Sequence, residues 1–78
     1  MREKESCLVV TFHTTAAAIA MERLCTARGL EGRLIPVPRC LTADCGMAWR
    51  ADRADRPALE KLAADEALEV EGFYELSL

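Results

Sequence analysis

The sequence is poor in the features that mark nucleic-acid-binding and membrane proteins. Only two lysines occur, Lys4 and Lys61, and the formal net charge is −3 over 78 residues. Binding to a phosphate backbone depends on a clustered excess of basic side chains, so this balance argues against a nucleic-acid partner. No apolar run approaches the roughly 20 residues of a membrane span, and the charged start MREKES precedes no signal segment. We therefore expect a cytoplasmic protein with no membrane partner.

The chain also lacks the usual spacings of metal-binding motifs. Cys40, Cys45 and His13 could supply three zinc ligands, but no Cys-x2-Cys or His-x3-His pattern supports such a site. We expect neither a metal nor another cofactor. Without a sign of secretion, the four cysteines are expected to be reduced and to serve as packing or as reactive thiols. Cys7 and Cys25 follow strand and helix periodicities, which predicts that they pack in the core.

What the sequence does contain is a regular succession of short apolar segments. The helical spacing after Thr14 and Thr15 predicts a helix with one of these residues as its N-cap and Gly29 as its stop. A second helix should start at Asp55 as N-cap, with Pro57 in its first turn. The predicted order is a strand at residues 7–13, a helix at 15–28, strands at 33–38 and 46–51, a helix ending near 65–68, and a strand at 70–78.

The order β-α-β-β-α-β predicts a ferredoxin-like two-layer α+β sandwich. Its antiparallel sheet has the order 4-1-3-2, with both helices on one face. Proline cannot donate a hydrogen bond to a strand ladder, so Pro36 and Pro38 fit the edge position of the second strand. Residues 1–78 are expected to form one small domain.

The face without helices is a predicted interaction surface. Val9 and Thr11, together with residues such as Trp49 or Phe73, are expected to lie on that face. An apolar patch there would favour self-association as a homodimer.

The same topology places candidate functional residues at one end of the sheet. The first two strands run parallel, so the turn after one and the loop after the other emerge together, where the first helix begins. A helix N-terminus favours anions, and the thiolate is the reactive form of cysteine, so Arg39 and the helix start could activate Cys45. Gly46 leaves the thiol without a neighbouring side chain, as expected for an exposed loop, and Arg50 could add to anion binding. The residues expected at this rim are His13, Thr14, Thr15, Arg39, Cys40 and Cys45.

Several segments carry a resemblance to a known family. They are Phe12-His13-Thr14-Thr15, Ile35-Pro36-Val37-Pro38-Arg39, Cys45-Gly46, Ala48-Trp49-Arg50 and Glu71-Gly72-Phe73-Tyr74-Glu75. Together they resemble the Putative selenium/sulfur carrier protein-like family over nearly the whole chain. The resemblance implies a carrier whose single reactive cysteine, Cys45, holds sulfur or selenium as a persulfide or selenopersulfide. Cys40 and Asp44 depart from the family's pattern.

Three functions follow as hypotheses. In the first, Cys45 accepts a sulfane atom from a donor enzyme of the desulfurase or lyase type and passes it to an acceptor protein. The protein is then a substrate of donor enzymes and not an enzyme itself. In the second, Cys40 is a resolving thiol that forms a disulfide with Cys45, which requires a Cα separation below about 7 Å. In the third, the chain is a plain protein-interaction domain in which Cys45 has no chemical role.

Overall fold

The computed structural model of the chain describes residues 6–41 and 45–77. Four strands and two helices occur in the predicted order. They are β1 (Ser6–Thr11), α1 (Thr15–Arg28), β2 (Arg33–Pro36), β3 (Met47–Asp52), α2 (Arg56–Asp65) and β4 (Gly72–Ser77), with a 3-10 turn at Arg53–Asp55 before α2.

The four strands form one sheet in the order β2-β3-β1-β4. All three neighbouring pairs are antiparallel, and β1 and β2 therefore run parallel to each other on either side of β3. This confirms the ferredoxin-like α+β prediction, including the central position of β1 and the edge position of β2. The ends of β1 and β2 consequently lie at the same end of the sheet, where α1 begins.

Two local signals set the limits of α1. Thr14 adopts an extended conformation (φ −135°, ψ 153°), and its side chain accepts a hydrogen bond from the Ala17 N–H at 3.1 Å. At the other end, Gly29 takes the left-handed conformation (φ 72°), and its N–H reaches the carbonyls of Cys25 and Thr26. Both the N-cap and the stop were expected from the sequence. Neither helix of the described chain is long and apolar enough to cross a membrane.

The start of α2 differs from the prediction. Asp55 occupies the N-cap position, but its side chain makes no capping hydrogen bond. Pro57 is the second helical residue and has no N–H, which removes one of the donors that a cap would accept. The capping carboxylate is instead Asp52, which accepts from the Ala54 N–H at 2.9 Å and begins the 3-10 turn that leads into the helix.

Three of the four strands are shorter than the sequence pattern indicates, while β3 keeps the predicted length and lies one residue later, at Met47–Asp52. β1 ends at Thr11 because the following residues already form the bend that leads into α1. β2 ends at Pro36, although the Val37 N–H still donates to the Gly46 carbonyl at 3.1 Å. Pro38 has no N–H with which to continue the ladder. β4 covers Gly72–Ser77, and Leu78 lies outside the described residues.

The two faces of the sheet carry separate apolar clusters. Val10 is paired with Trp49 and Phe73 in the register, and these side chains belong to the cluster beneath the helices. Val9 belongs to the smaller cluster on the opposite face, here called the open face. The expectation for Val9 was right, whereas Trp49 and Phe73 were assigned to the wrong face. The alternation of side chains along a strand defines two faces but does not say which of them the helices cover.

The centre of the open face is nevertheless buried. Val9 and Ala48 are fully buried, and Val37 and Leu41 from the loop between β2 and β3 pack against their cluster. The apolar patch on which self-association was expected is therefore covered by the protein's own loop. Among the described residues, the exposed large apolar side chains are Ile19, on α1, and Tyr74, on β4.

Candidate thiol site

Cys45 lies just before β3, at the end of the sheet where α1 begins. Its N–H donates to the carbonyl of Phe12 at 3.3 Å, which ties it to the end of β1. Its side chain is only 3 % exposed and belongs to the cluster beneath the helices. The expectation of an exposed loop thiol was wrong, because the bond to Phe12 fixes the backbone so that the thiol is buried in that cluster.

Two polar groups contact the sulfur of Cys45. The Met47 N–H donates to Sγ at 3.4 Å, and the thiol donates to Thr15 Oγ1 at 3.7 Å. Thr15 is the first residue of α1, whose N-terminus carries a partial positive charge. If the thiol ionises, the Thr15 hydroxyl can rotate and donate to the sulfur, so both contacts then stabilise the thiolate. The predicted proximity of Thr15 and Cys45 is thus found in the structure.

Met47 was not identified as a site residue from the sequence. It acts through its backbone N–H, which any residue other than proline supplies, and residue type therefore gives no signal. The spacing is the available signal, since a side chain that accepts from the N–H two residues later is a known turn device for short polar side chains. Here the sulfur of Cys45 takes that role.

Gly46 provides open space beside the buried thiol. The residue is exposed, and a Cβ built on it would meet no heavy atom within 4 Å. Solvent or a partner can therefore approach the backbone next to Cys45 from this side.

His13 and Thr14 lie at the same rim but have other immediate partners. The Thr14 side chain is used as the cap of α1. His13 Nδ1 lies 3.8 Å from Glu71 Oε2, and Glu71 is held at the rim because its N–H donates to the Thr11 carbonyl at 2.8 Å. The sequence pattern places Glu71 only in the last strand, because its approach to His13 depends on the pairing of β1 with β4.

Arg39 and Cys40 occupy the tip of a turn at residues 38–41. The Leu41 N–H donates to the Pro38 carbonyl at 3.0 Å, and both tip residues are exposed. Within the described chain, neither makes a hydrogen bond to Cys45. Leu41 packs on the open face whereas Cys45 is buried beneath the helices, and all four cysteines are free. Asp44 lies outside the described residues.

Arg50 lies apart from the thiol site. It pairs in the sheet with Val9 on one side and with Arg33 on the other, and these residues share the open face. Cys45 takes part in neither of these pairs, and its side chain packs on the opposite face, beneath the helices. The structure therefore does not bring Arg50 to the sulfur of Cys45.

Cys7 and Cys25 are buried, as predicted, with 3 % and 0 % of their surface exposed. Burial raises the pKa of the Cys25 thiol from 9.0 to about 11, and the nearby charge of Asp55 adds to this effect while Arg28 opposes it. The Cys25 thiol donates to Met21 Sδ at 3.6 Å inside the core. Among residues 6–41 and 45–77, no group of three or more His, Cys, Asp or Glu side chains is arranged to hold a metal ion.

The comparison with protein families gives a match over most of the chain. Residues 7–75 match the family model described as Putative Se/S carrier protein-like. Comparisons with curated proteins and with solved structures gave no match. The matched range extends from β1 to β4 and includes Cys45, Thr15 and the loop between β2 and β3. The chain belongs to the Putative Se/S carrier protein-like family.

Proposed function

We propose that this protein carries a sulfane sulfur or selenium atom on Cys45, as a persulfide or selenopersulfide. The observation that supports this most is the pair of hydrogen-bonding groups on Sγ, the Met47 N–H and the Thr15 hydroxyl, at the N-terminus of a 14-residue helix. The Met47 N–H donates to the sulfur and the Thr15 hydroxyl can donate to it after rotation, and the thiolate that such donors stabilise is the nucleophile in sulfur exchange. Family membership points to the same chemistry.

The transfer is an exchange between sulfur atoms without net oxidation. The Cys45 thiolate attacks the outer sulfur of a persulfide on the donor enzyme, and a new S–S bond forms as the donor's own S–S bond breaks. The donor cysteine leaves as a thiolate and takes up the proton that Cys45 has released. Delivery to an acceptor thiolate reverses these roles, and a selenopersulfide donor follows the same scheme with an S–Se bond.

Because Cys45 is buried, its partners reach the thiol through a local and brief opening of the rim. A persulfide places its outer sulfur about 2 Å beyond Sγ, since S–S bonds have that length. The open space at Gly46 lies next to this position, so a small opening at the rim would admit a donor cysteine. Between transfers, the surrounding side chains would shield the bound atom from solvent thiols and oxidants.

The partners of such a carrier are a donor enzyme and an acceptor protein. The donor is an enzyme of the desulfurase or lyase type that forms a persulfide or selenopersulfide on its own cysteine. The acceptor is a protein with a nucleophilic thiol. The carrier acts in the cytoplasm as one domain over residues 1–78, and it is a substrate of its donor and not an enzyme.

The test is loading by a donor enzyme, measured as intact mass under non-reducing conditions. The reduced protein is incubated with a cysteine desulfurase and L-cysteine, and we expect a gain of about 32 Da, or about 80 Da when a selenocysteine lyase supplies selenium. Cys45→Ser should abolish the gain, whereas Cys40→Ser, at the exposed turn, should retain it. Equal loading of the Cys45→Ser variant and the parent protein would contradict the proposal.

A further inference from the structure

A groove on the sheet, separate from the thiol site, has four charged residues in its lining. It has a volume of about 320 Å3, and Arg33, Arg50, Glu31 and Asp52 lie along it. This volume is at the lower end of the range of small-molecule sites, which is roughly 300–1,000 Å3. Cys45 does not line the groove.

The two arginines of the groove are directly opposite each other in the sheet. Arg33 is the register partner of Arg50 between β2 and β3. The Cβ atoms of opposed residues are about 4.5–5.5 Å apart, and like charges in that position destabilise a sheet. Arg28 and Arg56 both form ion pairs, but neither groove arginine is paired with a carboxylate in the described chain. Two arginines are therefore opposed at the groove, and among the described residues neither guanidinium group has a hydrogen-bond or ion-pair partner.

The two carboxylates of the groove are placed next to this pair. Glu31 precedes Arg33 by two residues, and Asp52 follows Arg50 by two. In the described chain, neither carboxylate forms an ion pair, although Asp52 accepts a hydrogen bond from the Ala54 N–H at 2.9 Å. The four side chains carry two positive and two negative formal charges, which sum to zero. A positive pair and a negative pair thus line the same groove without neutralising each other by direct contact.

This arrangement selects the charge type of a ligand. A phosphate dianion would be attracted by the arginines but repelled by Glu31 and Asp52. A simple ammonium ion would be attracted by the two carboxylates but repelled by the two arginines. A small zwitterion satisfies both pairs, because guanidinium groups bind a carboxylate through two parallel hydrogen bonds and carboxylates bind an ammonium group. We infer that the groove binds a free α-amino acid, with its carboxylate on Arg33 and Arg50 and its ammonium group towards Glu31 and Asp52. This inference does not depend on sulfur transfer by Cys45.

A built-in reporter is available for the test. Trp49 is the single tryptophan of the chain, and its ring lies so close to Gly32 that a Cβ on Gly32 would be 2.6 Å from it. Gly32 lines the groove. Ligand binding is therefore expected to change the Trp49 fluorescence and the backbone amide shift of Gly32 in two-dimensional 1H–15N NMR spectra.

The experiment titrates the whole protein with L-serine, which is redox-inert, and with acetate, methylammonium and inorganic phosphate as matched probes. We expect saturable shifts of Gly32 with L-serine below about 10 mM, and at least tenfold weaker binding of each single-charge probe and of phosphate. Phosphate binding as tight as that of L-serine would overturn the inference in favour of an anion site. Absence of saturable shifts with L-serine would overturn it altogether.

Variants of the groove sharpen the result. Arg50→Gln removes a charge-assisted contact and should weaken L-serine binding at least tenfold, while Arg23→Gln on the exposed side of α1 should leave it unchanged. Glu31→Gln lies outside the strands, so it tests the ligand even if the strand variant fails to fold. This variant should bind L-serine at least tenfold more weakly and acetate more tightly than the parent protein does. Unchanged L-serine affinity in Glu31→Gln would contradict the assignment of the ammonium group.

Discussion

Replacement of Gly32 by alanine tests the packing between β2 and the helix-side core. The added Cβ would lie 2.6 Å from Cε2, Cζ2 and Nε1 of Trp49, a rigid ring that is only 2 % exposed. Overpacking of this kind typically costs about 1–3 kcal/mol. A glycine-to-alanine change also lowers the entropy of the unfolded chain, which offsets this cost by about 0.4–1 kcal/mol. We therefore expect the free energy of unfolding to fall by about 1–2 kcal/mol, which lowers Tm by about 4–15 °C in a domain of this size.

Gly46→Ala is the matched control within the same chain. Gly29 alone among the described glycines has a positive φ, so alanine can adopt the backbone conformation of Gly46, and its Cβ would meet no atom within 4 Å. This variant should unfold at the parent temperature or slightly above it. Thermal unfolding followed by far-UV circular dichroism, with Trp49 fluorescence in urea as a second probe, gives both values. A Gly32→Ala protein as stable as Gly46→Ala would refute the described contact.

Three further predictions concern the helix cap and the thiols. Thr14→Ala should lower the free energy of unfolding by about 1 kcal/mol in urea titrations, whereas Thr26→Ala, which breaks no described side-chain bond, should not. Because the pKa of the Cys25 thiol is raised from 9.0 to about 11, the contribution of the protonated thiol to the stability of the folded protein is complete below pH 9 and is lost as the pH rises through 11. The loss is about 2–3 kcal/mol, and Cys25→Ala should lack it in pH-dependent urea unfolding. A short iodoacetamide pulse should label the exposed Cys40 before the three buried cysteines. If mild peroxide removed the free thiols of Cys40 and Cys45 together, that result would support a disulfide switch instead of a carrier.

Much of the fold could be predicted because local signals and topology agree. Thr14 and Gly29 limit α1 through capping and a left-handed turn, which depend only on nearby residues. Pro36 marks an edge strand because proline cannot take part in a central ladder. The alternation of strands and helices then leaves few compact arrangements, and the observed sheet order is the expected one.

The details of the candidate site were less predictable because they depend on long-range contacts. The hydrogen bond from the Cys45 N–H to the Phe12 carbonyl joins two residues that are 33 positions apart in the sequence. This contact holds the thiol in a buried position, although the neighbouring Gly46 favoured the prediction of an exposed thiol. The open face is likewise covered by Leu41 from a distant loop. The alternation in β3 could not reveal that Trp49 faces the helices, because both faces of the sheet are packed.

The most direct test of the carrier proposal is to locate the sulfane atom at residue level. Trypsin leaves both loop cysteines in the peptide of residues 40–50, so cleavage before Asp44 is needed to separate Cys40 from Cys45. After loading by a cysteine desulfurase and alkylation without reductant, the proposal predicts the additional mass of about 32 Da on the fragment that contains Cys45. Recovery of that mass mainly on Cys40, Cys7 or Cys25 would contradict it.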